Sequence, residues 1–272
     1  MNRVAVVTGA ARGIGAATVR ALAATGWSVV AVDRAGDDPR LPYAMGTRAE
    51  LDAVVASALA LPADPAGAQG PDRVVAQVAD TTDPEALGRA VSTAEDRFGG
   101  LDAMVAVAGV IAGGVSLWEM PADQLGAVLG VDLGGPITAA RVGIPALLRR
   151  PAPRQGRFLA VASAAATRGL PKLAAYGAAK AGVAGLVRGL AAELAGTGIT
   201  ANAVSPGSTA TAMLDESARL YGLDDTRSFA HQQPVGRLLA PEEVAAALVW
   251  LAGVDSGALT GAVIPVDGGL SL

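Results

Sequence analysis

The chain carries a tyrosine, a lysine and a serine at spacings that suit acid–base chemistry. Tyr176 and Lys180 are four residues apart in an Ala- and Gly-rich helical stretch, so the phenol and the ammonium share one helix face. Ser163 comes at the end of a predicted strand, thirteen residues before Tyr176. Because the next helix can bring Tyr176 back beside that strand end, we expect the three side chains to form one site.

These residue types predict a base that acts on an alcohol. The ammonium of Lys180 favours the deprotonated phenol, which would lower the pKa of Tyr176 towards the working pH. Tyr176 would then act as general base in alcohol oxidation or as general acid in ketone reduction. Ser163 would donate a hydrogen bond to the substrate oxygen as charge develops on it. The structural alternative is a half-buried helix tyrosine beside a solvated surface lysine.

A glycine-rich turn near the start of the chain predicts a second site. The Val-rich run 4–7 is typical of a buried parallel strand, and Gly9, Gly13 and Gly15 separate it from an Ala-rich helix. Such a turn lets a pyrophosphate approach the exposed N–H groups at the start of the helix. A second strand ends at Asp33, eighteen residues after Gly15, where a carboxylate can accept hydrogen bonds from both ribose hydroxyls.

The charges near this turn indicate which dinucleotide binds. The carboxylate of Asp33 repels a 2′-phosphate, so we predict NAD rather than NADP. Arg12 and Arg34 favour the opposite choice, because either guanidinium could pair with a 2′-phosphate. NADP therefore stays open as an alternative, as does a Gly-rich turn that serves only for packing.

The two sites lie in a regular alternation of strands and helices. Strands are predicted at 4–7, 28–32, 74–79, 103–108, 157–162, 199–204 and 262–266. Helices are predicted up to Ala24, near Arg48–Ala60, and within 85–98, 121–148, 174–194 and 241–251. This alternation is typical of a parallel sheet with helices on both faces. We therefore predict one doubly wound, Rossmann-type α/β domain over residues 1–272, with a parallel sheet of about seven strands.

Two long stretches interrupt this alternation. An insertion at about 35–72 follows the strand that ends at Asp33, and a loop at about 208–240 follows the sixth strand. Both leave the carboxyl ends of strands, where open α/β sheets bind ligands. We assign the second loop to substrate binding. The pocket residues within 164–171 and 208–239 are small and apolar, which suggests a hydrophobic alcohol or ketone as substrate.

Composition excludes several kinds of function. The 272 residues include no Cys and one His, which excludes a thiolate nucleophile, a disulfide framework and a multi-histidine metal centre. A net charge of −4 without a long basic run argues against nucleic-acid binding. Gly, Pro or charged residues interrupt the apolar stretches that would be long enough to span a membrane. We expect a soluble cytoplasmic enzyme that uses no metal.

The combined motifs resemble the classical short-chain dehydrogenase/reductase family over essentially the whole chain. The family's TGxxxGxG loop matches 8–15, its YxxxK motif matches 176–180, and its PG motif matches Pro206-Gly207. The resemblance implies hydride transfer between a secondary alcohol or ketone and a nicotinamide cofactor, whose positive ring would further acidify Tyr176. It also implies that Asp80 contacts the adenine and that Thr209 and Thr211 contact the nicotinamide carboxamide. The residues expected to contact the cofactor are Gly9, Arg12, Gly13, Ile14, Gly15, Asp33, Arg34, Asp80, Gly109, Tyr176, Lys180, Pro206, Gly207, Thr209 and Thr211.

Two positions depart from the family pattern. The family's NNAG motif is Ala106-Val107-Ala108-Gly109 here, so we expect water or nothing to replace the two missing amides, and only the close backbone approach at Gly109 to be retained. The family's catalytic Asn, which is associated with a helix kink and a proton-relaying water, is Asp132 here. An ionised Asp132 would strengthen the hold on the proton of Lys180 or offset the field that acidifies Tyr176.

Two other functions stay open beside an NAD-dependent dehydrogenase. Arg12 and Arg34 favour an NADP-dependent ketone reductase. The missing amides and Asp132 leave room for a catalytically silent nucleotide-binding protein, although the presence of Ser163, Tyr176 and Lys180 argues against it.

The segment 40–51 resembles an insertion of the mycofactocin-coupled dehydrogenases of actinobacteria. That resemblance implies an NAD that stays bound beneath the insertion and passes its hydride to mycofactocin, without exchange with bulk NAD. Pro39 and Pro42 would stiffen the segment, and Tyr43 is a large side chain that could cover the adenosine. The alternative is an ordinary Pro-rich surface insertion.

The remaining candidates are weaker. His231 could contact substrate, but a lone loop histidine is more often solvated. Trp118, Tyr221 and Phe229 either form an apolar pocket wall or pack around hinges. The low-charge helices within 121–148 and 174–194 suggest a homotetramer, or a homodimer.

Overall fold

One parallel sheet organises the chain. A computed structural model describes residues 3–62, 67, 70 and 72–272, and in these residues the strand order is β3-β2-β1-β4-β5-β6-β7. The strands are β1 (Val4–Thr8), β2 (Ser28–Asp33), β3 (Val74–Val78), β4 (Ala103–Ala106), β5 (Arg157–Val161), β6 (Thr200–Pro206) and β7 (Val263–Val266). Every pairing between neighbouring strands is parallel. The predicted doubly wound Rossmann-type sheet is confirmed.

Helices cover both faces of the sheet. They are α1 (Gly13–Ala24), α2 (Arg48–Ala60), α3 (Pro84–Phe98), α4 (Ala122–Leu129), α5 (Gly135–Arg149), α6 (Ala174–Glu193), α7 (Ala212–Leu220), α8 (Arg227–Ala230) and α9 (Pro241–Ala252). One core lies between the sheet and α1, α2 and α9, and the other lies between the sheet and α3, α5 and α6. Both cores consist largely of Val, Leu and Ala, so helices with small side chains pack directly on the strands.

The long helix predicted within 121–148 is interrupted in the structure. Between α4 and α5 the chain forms a π-helical turn, Gly130–Gly134, and the buried Asp132 lies in it. Hydrophobic periodicity does not show such a turn, because the apolar positions continue through it. π-helical turns of this type occur frequently at functional sites.

The loop predicted at about 208–240 contains two helices that the sequence analysis missed. α7 has nine residues and α8 has four, so neither gives a long periodic pattern. Gln233, which is also in this loop, is buried and holds it together: its side chain accepts a hydrogen bond from the Ser208 N–H (2.8 Å) and donates one to the Arg237 carbonyl (2.7 Å).

The strand order reverses between β1 and β4, and a threonine joins the two strand ends there. The Thr8 hydroxyl accepts hydrogen bonds from the backbone N–H groups of Val107 (3.1 Å) and Ala108 (3.2 Å). The strand ends are thus linked through a β1 side chain and the backbone of the segment that carries Ala106-Val107-Ala108-Gly109, and what replaces the two missing amides stays a prediction. Such a reversal point is where open α/β sheets bind ligands.

Part of the predicted insertion folds back over this end of the sheet. We call residues 35–47 the strap. It ends at Thr47, which begins α2 with a reciprocal capping interaction with Glu50. The later part of the insertion includes residues 63–66, 68, 69 and 71, and these lie outside the described residues.

One described helical tract, Ala122–Arg149, is long and apolar enough to cross a membrane by length and composition alone. Half of its most apolar window is buried within the protein. A core helix of a soluble fold meets the same criteria, and α5 packs here against α3 and β4.

Candidate active site

A cavity of about 710 Å³ opens at the carboxyl ends of the strands. It brings together the glycine turn after β1, the ends of β2 to β6, the first turn of α6 and the start of α7. The predicted site residues that line it are Gly9, Arg12, Gly13, Ile14, Gly15, Asp33, Arg34, Asp80, Gly109, Ser163, Tyr176, Lys180, Pro206, Gly207, Thr209 and Thr211. Asp132 does not line it and lies directly behind Lys180.

The glycine turn leaves the start of α1 open towards the cavity. The residue before α1, Arg12, makes no side-chain capping hydrogen bond, so the first backbone N–H groups of the helix are free to bind an anion. Gly9 has φ +68° and packs so closely that a Cβ atom would lie 2.7 Å from the Ala108 Cα. The turn therefore excludes a side chain at this point for reasons of backbone packing alone.

Asp33 is fixed at the end of β2 by two backbone groups. One carboxylate oxygen accepts a hydrogen bond from Ala11 N (3.0 Å) and the other accepts one from Ala35 N (3.0 Å). Gly46 of the strap lies against it, since a Cβ atom there would come within 3.1 Å of Asp33 Oδ1. The carboxylate is thus held in one orientation at the cavity wall, where it can accept hydrogen bonds from ribose hydroxyls.

Arg34 is already engaged by two carboxylates. Its guanidinium lies 2.7 Å from Asp38 Oδ2 and 3.5 Å from Asp80 Oδ2. Asp38 is almost fully buried and also binds Arg40, and these cations hold the pKa of Asp38 far below its usual range. The positive charge that could meet a 2′-phosphate is consequently offset within the protein.

Tyr176 and Ser163 meet at the centre of the cavity. Ser163 begins a short 3₁₀ turn after β5, and Tyr176 is in the first turn of α6, where the Ser163 side chain is near enough to lower the pKa of the phenol. The Lys180 ammonium lies 5.6 Å from the centroid of the Tyr176 ring. The helix spacing predicted from the sequence therefore does place the phenol, the hydroxyl and the ammonium together.

Lys180 forms a buried ion pair with Asp132. The Lys180 ammonium lies 3.0 Å from Asp132 Oδ1 and donates a hydrogen bond to the Val161 carbonyl (3.1 Å). Asp132 Oδ1 also accepts from Val110 N (3.3 Å), whereas its Oδ2 is buried with no hydrogen-bond partner among the described residues. The side chains of Asp132 and Lys180 are 0% and 4% exposed, so solvent screens their interaction little.

We call the part of the cavity lined by residues within 164–173 and 212–232 the substrate half, and the part lined by the glycine turn, Asp33, Arg34 and Asp80 the dinucleotide half. The substrate half is mainly apolar. Tyr221 and Phe229 line it with their rings edge to face, 6.2 Å apart between centroids, so both belong to the pocket wall. Trp118 is 87% exposed and His231 is exposed, and neither lines the cavity. Sequence reasoning did not single out Met213, which lines the cavity and gives no chemical signal in the sequence.

The strap closes over the cavity between its two halves. The Tyr43 hydroxyl accepts a hydrogen bond from Ile111 N (2.9 Å) in the loop after β4. The Arg12 guanidinium donates to the Ala44 carbonyl (2.9 Å), and Asp37 accepts from Met45 N (2.8 Å). Three hydrogen bonds thus join the strap to the glycine turn, to the loop after β4 and to itself.

Comparison with known proteins agrees with this geometry. A protein-family model described as Enoyl-(Acyl carrier protein) reductase matches residues 9–271. The Short-chain reductase protein NovJ of Streptomyces niveus is 39% identical, with 98% of this chain and 93% of that protein covered. The cis-4-hydroxycyclohexanecarboxylate dehydrogenase of Sinomonas cyclohexanicum is 38% identical, with 98% and 96% covered. The crystal structure of carveol dehydrogenase from Mycobacterium avium in complex with NAD has a TM-score of 0.89 at 29% identity, with 98% and 97% covered.

The chain belongs to the short-chain dehydrogenase/reductase family. Its relatives are named as oxidoreductases and dehydrogenases, and the match extends over nearly the whole chain. Within the described residues, the protein has no cluster of three or more His, Cys, Asp or Glu side chains that could hold a metal ion.

Gly109 lines the cavity, where the dinucleotide was expected, and also lies against the buried ion pair. We expected its missing side chain to admit the dinucleotide. In the structure, a Cβ atom at Gly109 would lie 2.8 Å from Asp132 Oδ1 and 3.5 Å from Lys180 Nζ. The close approach therefore makes room for the buried ion pair.

The protein alone does not acidify Tyr176 as the sequence analysis expected. Burial raises the pKa of Tyr176, Lys180 and the Ser163 hydrogen bond lower it, and the charge of Asp132 raises it again, with a net upward direction. Burial lowers the pKa of Lys180, but the charges of Asp132 and Tyr176 and the hydrogen bond to Asp132 together raise it, with a net upward direction. Asp132 therefore has both of the effects that the sequence analysis considered. It favours the protonated form of Lys180, and it opposes the effect by which Lys180 lowers the pKa of Tyr176.

We predict that Asp132→Asn moves the pH dependence of alcohol oxidation to lower pH. Tyr176 must be deprotonated to act as a base, and removal of the Asp132 charge lowers the pKa of Tyr176 and so extends activity towards acid. The measurement is kcat/KM for oxidation against pH, with thermal unfolding to verify the fold. An unchanged acid limb in a folded variant would contradict the role of this charge.

Proposed function

We propose that this protein is an NAD-dependent dehydrogenase that oxidises a secondary alcohol, or reduces the corresponding ketone. The observation that carries the proposal is the meeting of Ser163, Tyr176 and Lys180 in one cavity with the open start of α1. Family membership alone covers both dehydrogenases and reductases, so the direction and the cofactor are part of the proposal.

Each residue of the site has a distinct task in this reaction. Ser163 binds the substrate oxygen and orients it towards the Tyr176 hydroxyl oxygen. Tyr176 removes the hydroxyl proton in oxidation and returns it in reduction. Lys180, held by Asp132 and the Val161 carbonyl, stabilises the tyrosinate and has a further N–H for a cofactor ribose. NAD, when bound, supplies the acceptor for the substrate hydride.

The residues present fit NAD better than NADP. The open start of α1 suits the pyrophosphate, and Asp33, which lines the cavity, would accept hydrogen bonds from the ribose hydroxyls. The charge of Arg34 is offset by Asp38 and Asp80, which leaves it poorly suited to bind a phosphate. The related carveol dehydrogenase of Mycobacterium avium was crystallised in complex with NAD.

We further propose that the strap retains the bound NAD, which is then reoxidised through mycofactocin and not by exchange. The strap passes from Asp33 to the loop after β4, and the Tyr43, Arg12 and Asp37 hydrogen bonds fasten it. Leu41, Tyr43 and Met45 pack in the same apolar cluster as Tyr176. Release of the dinucleotide would therefore require these contacts to open together.

Tyr176→Phe tests the reaction itself. The variant keeps the ring but loses the group that accepts the proton, so kcat should fall by about 100-fold or more while NAD binding is retained. Steady-state oxidation of a panel of secondary alcohols with an artificial electron acceptor gives kcat, and NAD released on denaturation gives cofactor content. Equal activity of the variant and the natural chain would favour the catalytically silent alternative.

Tyr43→Ala tests cofactor retention. It removes the hydrogen bond to Ile111 N and the ring that packs over the cavity, so bound NAD should exchange faster with labelled NAD in solution. Tyr43→Phe is the matched control, because it loses only the hydroxyl and should have an intermediate rate. Rapid exchange in the natural chain would show that the strap is an ordinary surface insertion.

A further inference from the structure

One charged side chain in the substrate half of the cavity has no part in the proposed reaction. Arg168 lines the cavity on the segment between β5 and α6. It lies directly after the 3₁₀ turn that begins at Ser163, and its backbone N–H donates to the Ala164 carbonyl (2.9 Å). Its guanidinium donates one hydrogen bond, to the Leu270 carbonyl (2.7 Å).

Arg168 resembles Arg12 in that its guanidinium donates to a backbone carbonyl, and it differs from Lys180 and Arg34, which pair with carboxylates. Lys180 pairs with Asp132, and Arg34 pairs with Asp38. Arg12 is tied to the strap through Ala44. Within the part of the chain that the structure describes, the Arg168 guanidinium forms no ion pair with any carboxylate.

The acidic residues of the cavity do not offset this charge. Of the described lining residues, the two that carry carboxylates are Asp33 and Asp80, and both belong to the dinucleotide half. The neighbours of Arg168 in the lining, Leu170, Pro171 and Leu270, have apolar side chains. Ser217, Ser228 and Gln232 also line this half, and Arg168 itself is exposed. The substrate half thus combines mainly apolar side chains with one positive charge that lacks an acidic partner among the described residues.

A guanidinium in this setting favours one kind of ligand. Its planar fork matches a carboxylate with two parallel hydrogen bonds, and such a pair is stronger than a neutral hydrogen bond. A single guanidinium balances one negative charge, which suits a carboxylate better than a doubly charged phosphate.

The position along the chain also suits a substrate with two functional ends. Arg168 is five residues after Ser163, which limits their separation to roughly 17 Å even for an extended chain, and the intervening helical turn shortens it further. This limit applies to the Cα atoms, and both residues line the same cavity, so one ligand in the cavity can contact both side chains.

We propose that Arg168 binds a carboxylate of the substrate, so that the preferred substrates are hydroxy acids whose carboxylate is remote from the reacting hydroxyl. This assignment rests on the proposed function, since it names the substrate class of the same site. A purely structural role for Arg168 is to fasten the segment around Leu270, and that role does not depend on the charge of the substrate.

Binding and turnover of matched compounds separate these roles. The binding probes are cyclohexanecarboxylate and cyclohexanecarboxamide, titrated into the NAD-loaded protein by calorimetry. The turnover probes are 4-hydroxycyclohexanecarboxylate and its carboxamide. The variants are Arg168→Gln and, as a control with the same change in charge, Arg89→Gln, whose exposed side chain lies on α3 and does not line the cavity.

We expect the natural chain to bind the carboxylate about tenfold more tightly than the amide. Arg168→Gln should abolish this difference, mainly through a higher KM for the acid, and should weaken binding of the acid much more than binding of the amide. Arg89→Gln should retain the difference. Equal binding of acid and amide by the natural chain, or an equal loss for both probes in Arg168→Gln, would overturn the assignment.

The proposed function can fail separately from this assignment. Carboxylate binding that depends on Arg168, without any Tyr176-dependent oxidation of the hydroxy compounds, would contradict the dehydrogenase. Oxidation of the amide without a preference for the acid would contradict only the role of Arg168.

Discussion

The buried ion pair between Asp132 and Lys180 is the interaction on which the site depends. Both side chains are almost fully excluded from water, and a buried charge is strongly unfavourable unless it is paired and hydrogen-bonded. Lys180 donates to Val161 and Val110 donates to Asp132 Oδ1, as an ammonium and a carboxylate require, whereas Asp132 Oδ2 has no partner among the described residues. Burial raises the pKa of Asp132, and Lys180 and the Val110 N–H oppose this effect. The pair fixes the lysine beneath the Tyr176 ring and also sets the charge that Tyr176 experiences.

Several parts of the fold make room for this pair. The π-helical turn Gly130–Gly134 carries Asp132 into the interior between α4 and α5. Gly109 leaves the space that Asp132 Oδ1 occupies. The pair also affects Tyr176. Burial and the Asp132 charge raise the pKa of this tyrosine, so the protein on its own favours the protonated phenol. Binding of a positively charged nicotinamide ring would oppose this effect.

The sequence predicted the fold and the site residues where a local pattern carried the information. The Val-rich strands, the glycine turn and the i, i+4 spacing of Tyr176 and Lys180 each have a direct structural consequence, so the sheet and the placement of these side chains followed. The π-helical turn and the link from Thr8 to Val107 depend on contacts between distant segments, and no local pattern reveals them. Arg168 and Gln233 have ordinary neighbours in the sequence. Only the cavity lining draws attention to Arg168, and only the hydrogen bonds draw attention to Gln233.

The most direct measurement of the central claim is the ionisation state of Asp132 in the folded protein. Infrared difference spectra between the natural chain and Asp132→Asn, with and without ¹³C-labelled aspartate, isolate the bands of this one side chain. An ionised pair predicts that the difference spectrum near neutral pH contains the carboxylate stretches of Asp132. The C=O stretch of a protonated acid at that position would contradict the ion pair, and with it the account of how Lys180 and Tyr176 are held.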